Sequence, residues 1–299
     1  MAQGHPIARG LMVLSSVVVL FFAAVFALTV TSGGKVGEML ALGGKVGIVE
    51  VKGVINDSED VVEALKEFED APSVKAVVVR IESPGGGVAP SQEIYAAIRK
   101  LRETKPVVAS MGGLAASGGY YIASACDTIV ANPGTITGSI GVIMEGGNVK
   151  GLLEKLGIEP QIVKAGTYKD MGSPVRPMTD AERALLQEMI DSVHTQFITA
   201  VAAGRNMDKD QVRALADGRI FSGEQAKVAG LVDALGGLED AVATAASRGG
   251  ITGEPHTTKA RSSREPWWFR LLFNFTPTIP FSLDRAFGLQ IVYDGPFLR

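Results

Sequence analysis

Residues 74–81 form an almost continuously apolar run, Val-Lys-Ala-Val-Val-Val-Arg-Ile. A half-solvated strand would alternate apolar with polar side chains, so a run of this kind predicts a strand covered on both faces. Such a strand needs a sheet interior with helices packed above and below it. The flanking sequence supplies them. Residues 46–51 read as a strand, and Ser58 is placed to cap a helix to Phe68 with Val61, Val62, Leu65 and Phe68 as its apolar positions. A glycine turn follows residue 81, then a helix from Ser91 to about Glu103. Residues 106–110 form a third strand, and small residues from 115 to 125 open another helix. Residues 128–131, 140–144 and 160–164 read as further strands. Thr179 with Glu182 has the spacing of a capping box, opening a helix to about Ala203. Helices at 211–216, 223–229 and 238–246 complete a helical C-terminal part. Strand and helix in alternation predict right-handed crossovers and a largely parallel sheet, the α/β class.

The 299 residues divide by composition. Residues 11–30 carry no charge, interrupted only by Ser15, Ser16 and Thr29. At about 1.5 Å per helical residue they span the roughly 30 Å hydrocarbon core of a bilayer. The run exceeds the usual apolar stretch of a cleavable signal peptide and no Ala-x-Ala closes it, which favours a retained anchor; Val25-Phe26-Ala27 leaves cleavage open. The short segment 1–10 precedes the run. The expected arrangement is a transmembrane anchor, a glycine-rich tether over 31–44, and a folded domain over 45–248 on the periplasmic or extracytoplasmic side of the inner membrane. From 249 to 299 the composition changes. Residues 252–264 are polar and read as disordered. Trp267-Trp268-Phe269-Arg270 then suits either a membrane interface or docking on the chain's own domain or on a neighbouring subunit.

A net charge of −3 argues against nucleic acid as a partner. The lone Cys126 excludes an internal disulfide and reads as core packing. No cluster of His, Cys, Asp and Glu has metal-ligand spacing, and no cofactor is implied.

The chemistry centres on glycines and one serine. Ser83-Pro84-Gly85-Gly86-Gly87-Val88 leaves a buried strand and enters a helix. Glycines there let backbone N–H groups face outward unobstructed, as phosphate or oxyanion sites require, although a simple turn reads the same way. Ser117-Gly118-Gly119 makes a second such turn. Two turns in one sheet can aim donors at one carbonyl: Gly118 N–H, with Gly85 or Gly86 N–H. A nucleophilic serine needs a base. The three histidines, His5, His194 and His256, have no convincing setting, so a lysine is the better candidate. A lysine serves only if burial or its neighbours bring its pKa from about 10.4 towards neutrality. Spacing does not single out which lysine.

Residues 110–123, around Ala116-Ser117-Gly118-Gly119-Tyr120-Tyr121, resemble the serine-type bacterial signal peptide peptidases, the protease IV family. Ser83-Pro84-Gly85-Gly86-Gly87, Thr137-Gly138-Ser139-Ile140-Gly141-Val142, Tyr168-Lys169-Asp170-Met171-Gly172-Ser173-Pro174 and Gly230-Leu231-Val232-Asp233 match its motifs, over residues 47–246. The resemblance implies a Clp-protease/crotonase-like fold, with Ser117 as nucleophile and Lys169 as base. With Ser117 as nucleophile, the two turns are expected to supply the oxyanion hole, from Gly118 with Gly85 or Gly86, and Gly87, Val88 and Ser139 are expected to contact substrate, although Ser139 could equally hold a turn. Long members of the family carry two related halves that supply serine and lysine separately. This half-length unit is therefore expected to form a ring of identical subunits, with Ser117 of one protomer meeting Lys169 of the next. The implied substrates are signal peptides left in the membrane after their release from exported proteins, bound as an added strand. Asp170 and Ser173 are both candidates for orienting the lysine. Two other readings fit less well. A crotonase-like acyl-CoA enzyme shares the glycine turns but not the anchor or the Ser117/Lys169 pair. A non-catalytic membrane scaffold would not need that pair.

Overall fold

A computed structural model of the chain describes residues 44–260 and the backbone of 290–292. The expected anchor over 11–30 and the tryptophan pair lie outside the described residues. Among those described, no helix is long and apolar enough to cross a membrane.

The apolar run is strand β2 (Val74–Ser83), and it sits inside an eight-stranded sheet. Its neighbours are β1 (Lys45–Lys52) and β4 (Val107–Ala116), both parallel to it. β4 is long enough to carry two partners on its other edge. Residues 108–111 pair with β5 (Thr128–Ala131), and 114–116 with β6 (Ile136–Gly138). β8 (Ala234–Leu235) continues beyond β5. One pair departs from the parallel pattern: β7 (Ile220–Ser222) runs antiparallel to β6.

Side chains of β2 alternate between two cores, as a strand covered on both faces requires. Val77, Val79 and Ile81 pack with helices α1 (Glu59–Asp70), α2 (Val88–Leu101), α3 (Gly118–Ser124) and the C-terminal half of α5 (Asp180–Arg205). Ala76 and Val78 pack on the opposite face with α8 (Leu238–Arg248) through Ala241, Val242, Ala245 and Ala246. Cys126 is buried in the first core, where desolvation raises its thiol pKa far out of the reactive range. Between β6 and α5 lies a short helix, α4 (Lys150–Leu156), and α6 (Lys209–Leu215) and α7 (Gly223–Val228) follow α5.

Four expectations are corrected. Residues 160–164 form no strand: they are exposed and pair with no strand among the described residues, and β-propensity alone does not make a strand. Residues 140–144 form no strand either. Gly138 at φ 77° and Ser139 at φ 50° turn the chain off the sheet just before them. The polar stretch expected to be disordered contains β9 (His256–Lys259), which pairs parallel with β1 and covers its otherwise open edge. The glycine turn itself contains a short strand, β3 (Gly85–Gly87), and α2 starts directly after it at Val88 rather than at Ser91.

Candidate active site

Ser117 stands where β4 ends and α3 begins, at φ 53° and ψ −116°. A non-glycine residue held there costs of order 1–3 kcal/mol, and such strain persists only where the surroundings fix it. They do so here. The Ser117 amide donates to Gly138 O at 2.8 Å, and its carbonyl accepts from Tyr121 N at 2.8 Å. All seven residues of α3 are buried, and Tyr120 Oη donates to Leu231 O at 2.9 Å. Upstream, β4 carries an irregularity in its pairing with β2. There the Glu82 carboxylate accepts Gly113 N at 2.9 Å and Leu114 N at 3.0 Å. The Ser117 side chain is 1% exposed, and its Oγ has no hydrogen-bond partner among the described residues.

The two glycine turns meet. A Cβ on Gly118 would lie 3.2 Å from both Gly85 Cα and Gly86 N, and 2.7 Å from Ser91 Oγ. Ser91 is fully buried and donates to Gly87 O at 2.8 Å. Ile55 fixes β3 from one side, its amide donating to Gly85 O at 2.9 Å and its carbonyl accepting Gly87 N at 2.8 Å. Gly86 N–H and C=O therefore face the other side. Gly85 N donates to Ser83 Oγ at 3.0 Å. Of the two expected donors in this turn, Gly86 is the one left facing outward. On that outward side β10 (Gln290–Val292) pairs antiparallel with Gly85–Gly87.

The remaining expected residues divide. Ser139 lies beside the serine's backbone anchor, its amide donating to Arg219 O at 2.8 Å. It lines a cavity of about 470 Å³ with Val142, Ile143, Ile190 and His194, whose Nε2 is buried without a partner among the described residues. Val88 was expected to touch substrate, yet its side chain packs into the core. Only its backbone remains available, because the helix begins at this residue and turns the side chain inward. Lys169 is exposed, on an arm that leaves the domain after β6. From residue 145 to 169 every residue is exposed except the half-buried Leu153. Within the described chain, then, the serine and both glycine turns come together, and Lys169 makes no hydrogen bond to Ser117 Oγ. Sequence reading missed the parts played by Ile55, Ser91 and Arg176: Ile55 and Ser91 meet Gly86 and Gly118 through long-range packing, and Arg176 bonds Asp170 and Glu182, each six residues away, only once the chain folds between them. No group of three or more His, Cys, Asp and Glu among the described residues could hold a metal ion.

A serine on a strained strand-to-helix turn, flanked by outward backbone donors in a largely parallel sheet, defines a serine hydrolase site. The chain belongs to peptidase family S49, which it matches over residues 99–252, and is a serine peptidase; residues 34–133 also match the Clp protease family. A protein of Synechocystis sp. named as a protease is 48% identical over 69% of this chain and 75% of its own length. One of Enterococcus faecium named as a signal peptide peptidase is 45% identical over 60% of this chain and 52% of its own length. Protease 4 of Salmonella typhi is 38% identical over 68% of this chain and 34% of its own length. The chain therefore spans about half of the second relative and a third of the third.

Proposed function

We propose that the protein is a membrane-anchored endopeptidase with a Ser117–Lys169 dyad, assembled so that one protomer's lysine serves its neighbour's serine. One observation carries this reading: Ser117 Oγ is buried and unpartnered among the described residues, while Lys169 stands in solvent on an arm with almost no core of its own. The arm also exposes Val149, Leu152, Leu156, Ile158, Ile162 and Val163, which a soluble monomer would not leave uncovered. A ring of identical subunits covers them and completes the site.

In that assembly neutral Lys169 Nζ takes the Ser117 proton as Oγ attacks the scissile carbonyl. Gly118 and Gly86 N–H stabilise the oxyanion, and the lysine returns the proton to the leaving amine. The acyl-serine is then hydrolysed by water activated in the same way. The peptide lies as an antiparallel strand on Gly85–Gly87. The pairing of β10 there supports this, since the edge accepts an added strand. Apolar, extended signal peptides remaining in the inner membrane suit such an edge and an anchor over residues 11–30. Of the other readings, an acyl-CoA enzyme has no use for the lysine arm.

Cleavage of a fluorogenic apolar peptide by wild type, Ser117→Ala and Lys169→Met tests the dyad. Both variants should be inactive while folding normally; full activity in either removes that residue from the mechanism.

A further inference from the structure

The arm is fastened to the domain next to Lys169, and the fastening is built around one side chain. Arg176 has all five guanidinium N–H groups engaged. Nε donates to Asp170 Oδ2 at 2.8 Å and Nη2 to the Asp170 carbonyl at 3.1 Å. Nη1 donates to Glu182 Oε2 at 2.9 Å and to Pro177 O at 3.0 Å, and Nη2 also holds Glu182 Oε1. A guanidinium has no further donors to give. Glu182 is 3% exposed and is itself part of the frame, accepting Thr179 N at 2.9 Å in the capping box of α5. That helix is anchored in the core by Phe197, Ile198 and Val201. Lys164 Nζ completes the cluster, bonding the second Asp170 oxygen and donating to Thr167 O at 2.9 Å.

We infer that Arg176 is the positioning residue for Lys169: it locks the backbone and carboxylate of Asp170 onto α5 and cancels the charge of that carboxylate. The inference rests on Lys169 being the base. Two effects follow. The lock transmits the rigidity of α5 to the residue adjoining Lys169, on an arm with little other support. The cancellation matters because a general-base lysine has to be neutral, and a bare carboxylate one residue away favours its charged form. The ionisable groups of this cluster are Asp170, Lys164, Arg176 and Glu182, with Tyr168 preceding the lysine. Asp170⁻ faces two cations and Glu182⁻ faces Arg176⁺, so removing Arg176 leaves both carboxylates undercompensated. Lysine at 176 keeps the charge but cannot reproduce a five-donor fork.

The test uses the assembled enzyme and compares Arg176→Met, Arg176→Lys and Asp170→Asn/Arg176→Met. It measures kcat, KM and the pH dependence of kcat/KM, with sedimentation for assembly. Arg176→Met should lower kcat by about 100-fold with KM little changed. It should also move the acid limb of the profile alkaline by roughly half a pH unit or more. Arg176→Lys should return the limb to its wild-type position while kcat stays reduced, and the double variant should also return the limb. A limb that stays in place in Arg176→Met overturns the inference, as does a fall in kcat that only tracks lost assembly. If Arg176→Met does not assemble, the same overturning result is a displaced limb in Arg176→Lys or in the double variant. Activity persisting in Lys169→Met would instead remove the base assignment itself, a separate outcome.

Discussion

Gly118 and Gly86 are close enough that a Cβ on Gly118 would sit 3.2 Å from the Gly86 nitrogen. The two glycine turns, about 30 residues apart in sequence, thus form one surface beside Ser117. Gly118→Ala should wedge them apart and also press on the buried Ser91 hydroxyl. Loss of one aligned oxyanion donor costs about 10²–10³ in kcat. The expected result is a fall of that order with KM nearly unchanged, measured on a fluorogenic peptide. Wild-type kcat in Gly118→Ala would remove this turn from the oxyanion site.

Tyr120 supports the serine from below. Its hydroxyl is fully buried, pushed well above the usual tyrosine pKa by desolvation, and donates to Leu231 O. Tyr120→Phe leaves that carbonyl unsatisfied and should destabilise the domain by about 1–3 kcal/mol. Denaturant unfolding of the variant would measure it, and an unchanged midpoint would contradict the assignment.

The cluster at the base of the arm predicts acid sensitivity. Hydrogen bonds first from Arg176 and then from Lys164 hold Asp170 below the ordinary carboxylate range. Glu182 is pulled from 4.5 to about 2, chiefly by Arg176. Both carboxyls bind protons more weakly folded than unfolded, so their contribution is fully present above the unfolded value and disappears as pH falls through the folded one. Limited proteolysis between residues 145 and 168 should therefore accelerate from pH 4.5 down to about 2. In Glu182→Gln the arm should be cut readily already at neutral pH, with a flatter profile.

β10 and the proposed substrate use the same edge of Gly85–Gly87. A chain ending at residue 260 should bind short peptides several-fold more tightly, seen as a lower KM with kcat preserved. An unchanged KM would mean that the tail does not compete there.

Much of this arrangement is written locally. The double-sided apolar pattern of 74–81 reads as an interior parallel strand because both of its faces are in fact covered. The Thr179–Glu182 capping box opens α5 where the spacing places it, since each partner is three residues from the other. The two glycine turns were legible as turns, and their convergence followed from sharing one sheet. The failures are of another kind. β3 depends on partners far away in sequence: Ile55, some 30 residues earlier, bonds one side of it, and β10 pairs with the other. Residues 160–164 have strand-like composition but lie in the exposed arm and pair with no strand among the described residues. Arg176 looks like any surface arginine until the chain folds Asp170 and Glu182 to either side of it.

The central claim is that serine and lysine act across subunits, and the direct measurement is complementation. Ser117→Ala and Lys169→Met chains are co-assembled and assayed against each assembled alone. Activity should reappear in the mixture, approaching at most about a quarter of wild type for random pairing of equal amounts, because only a Lys169→Met chain beside a correctly oriented Ser117→Ala neighbour restores both groups. A mixture that assembles yet stays inactive, beside a fully active wild type, would place the dyad within one chain and contradict the account.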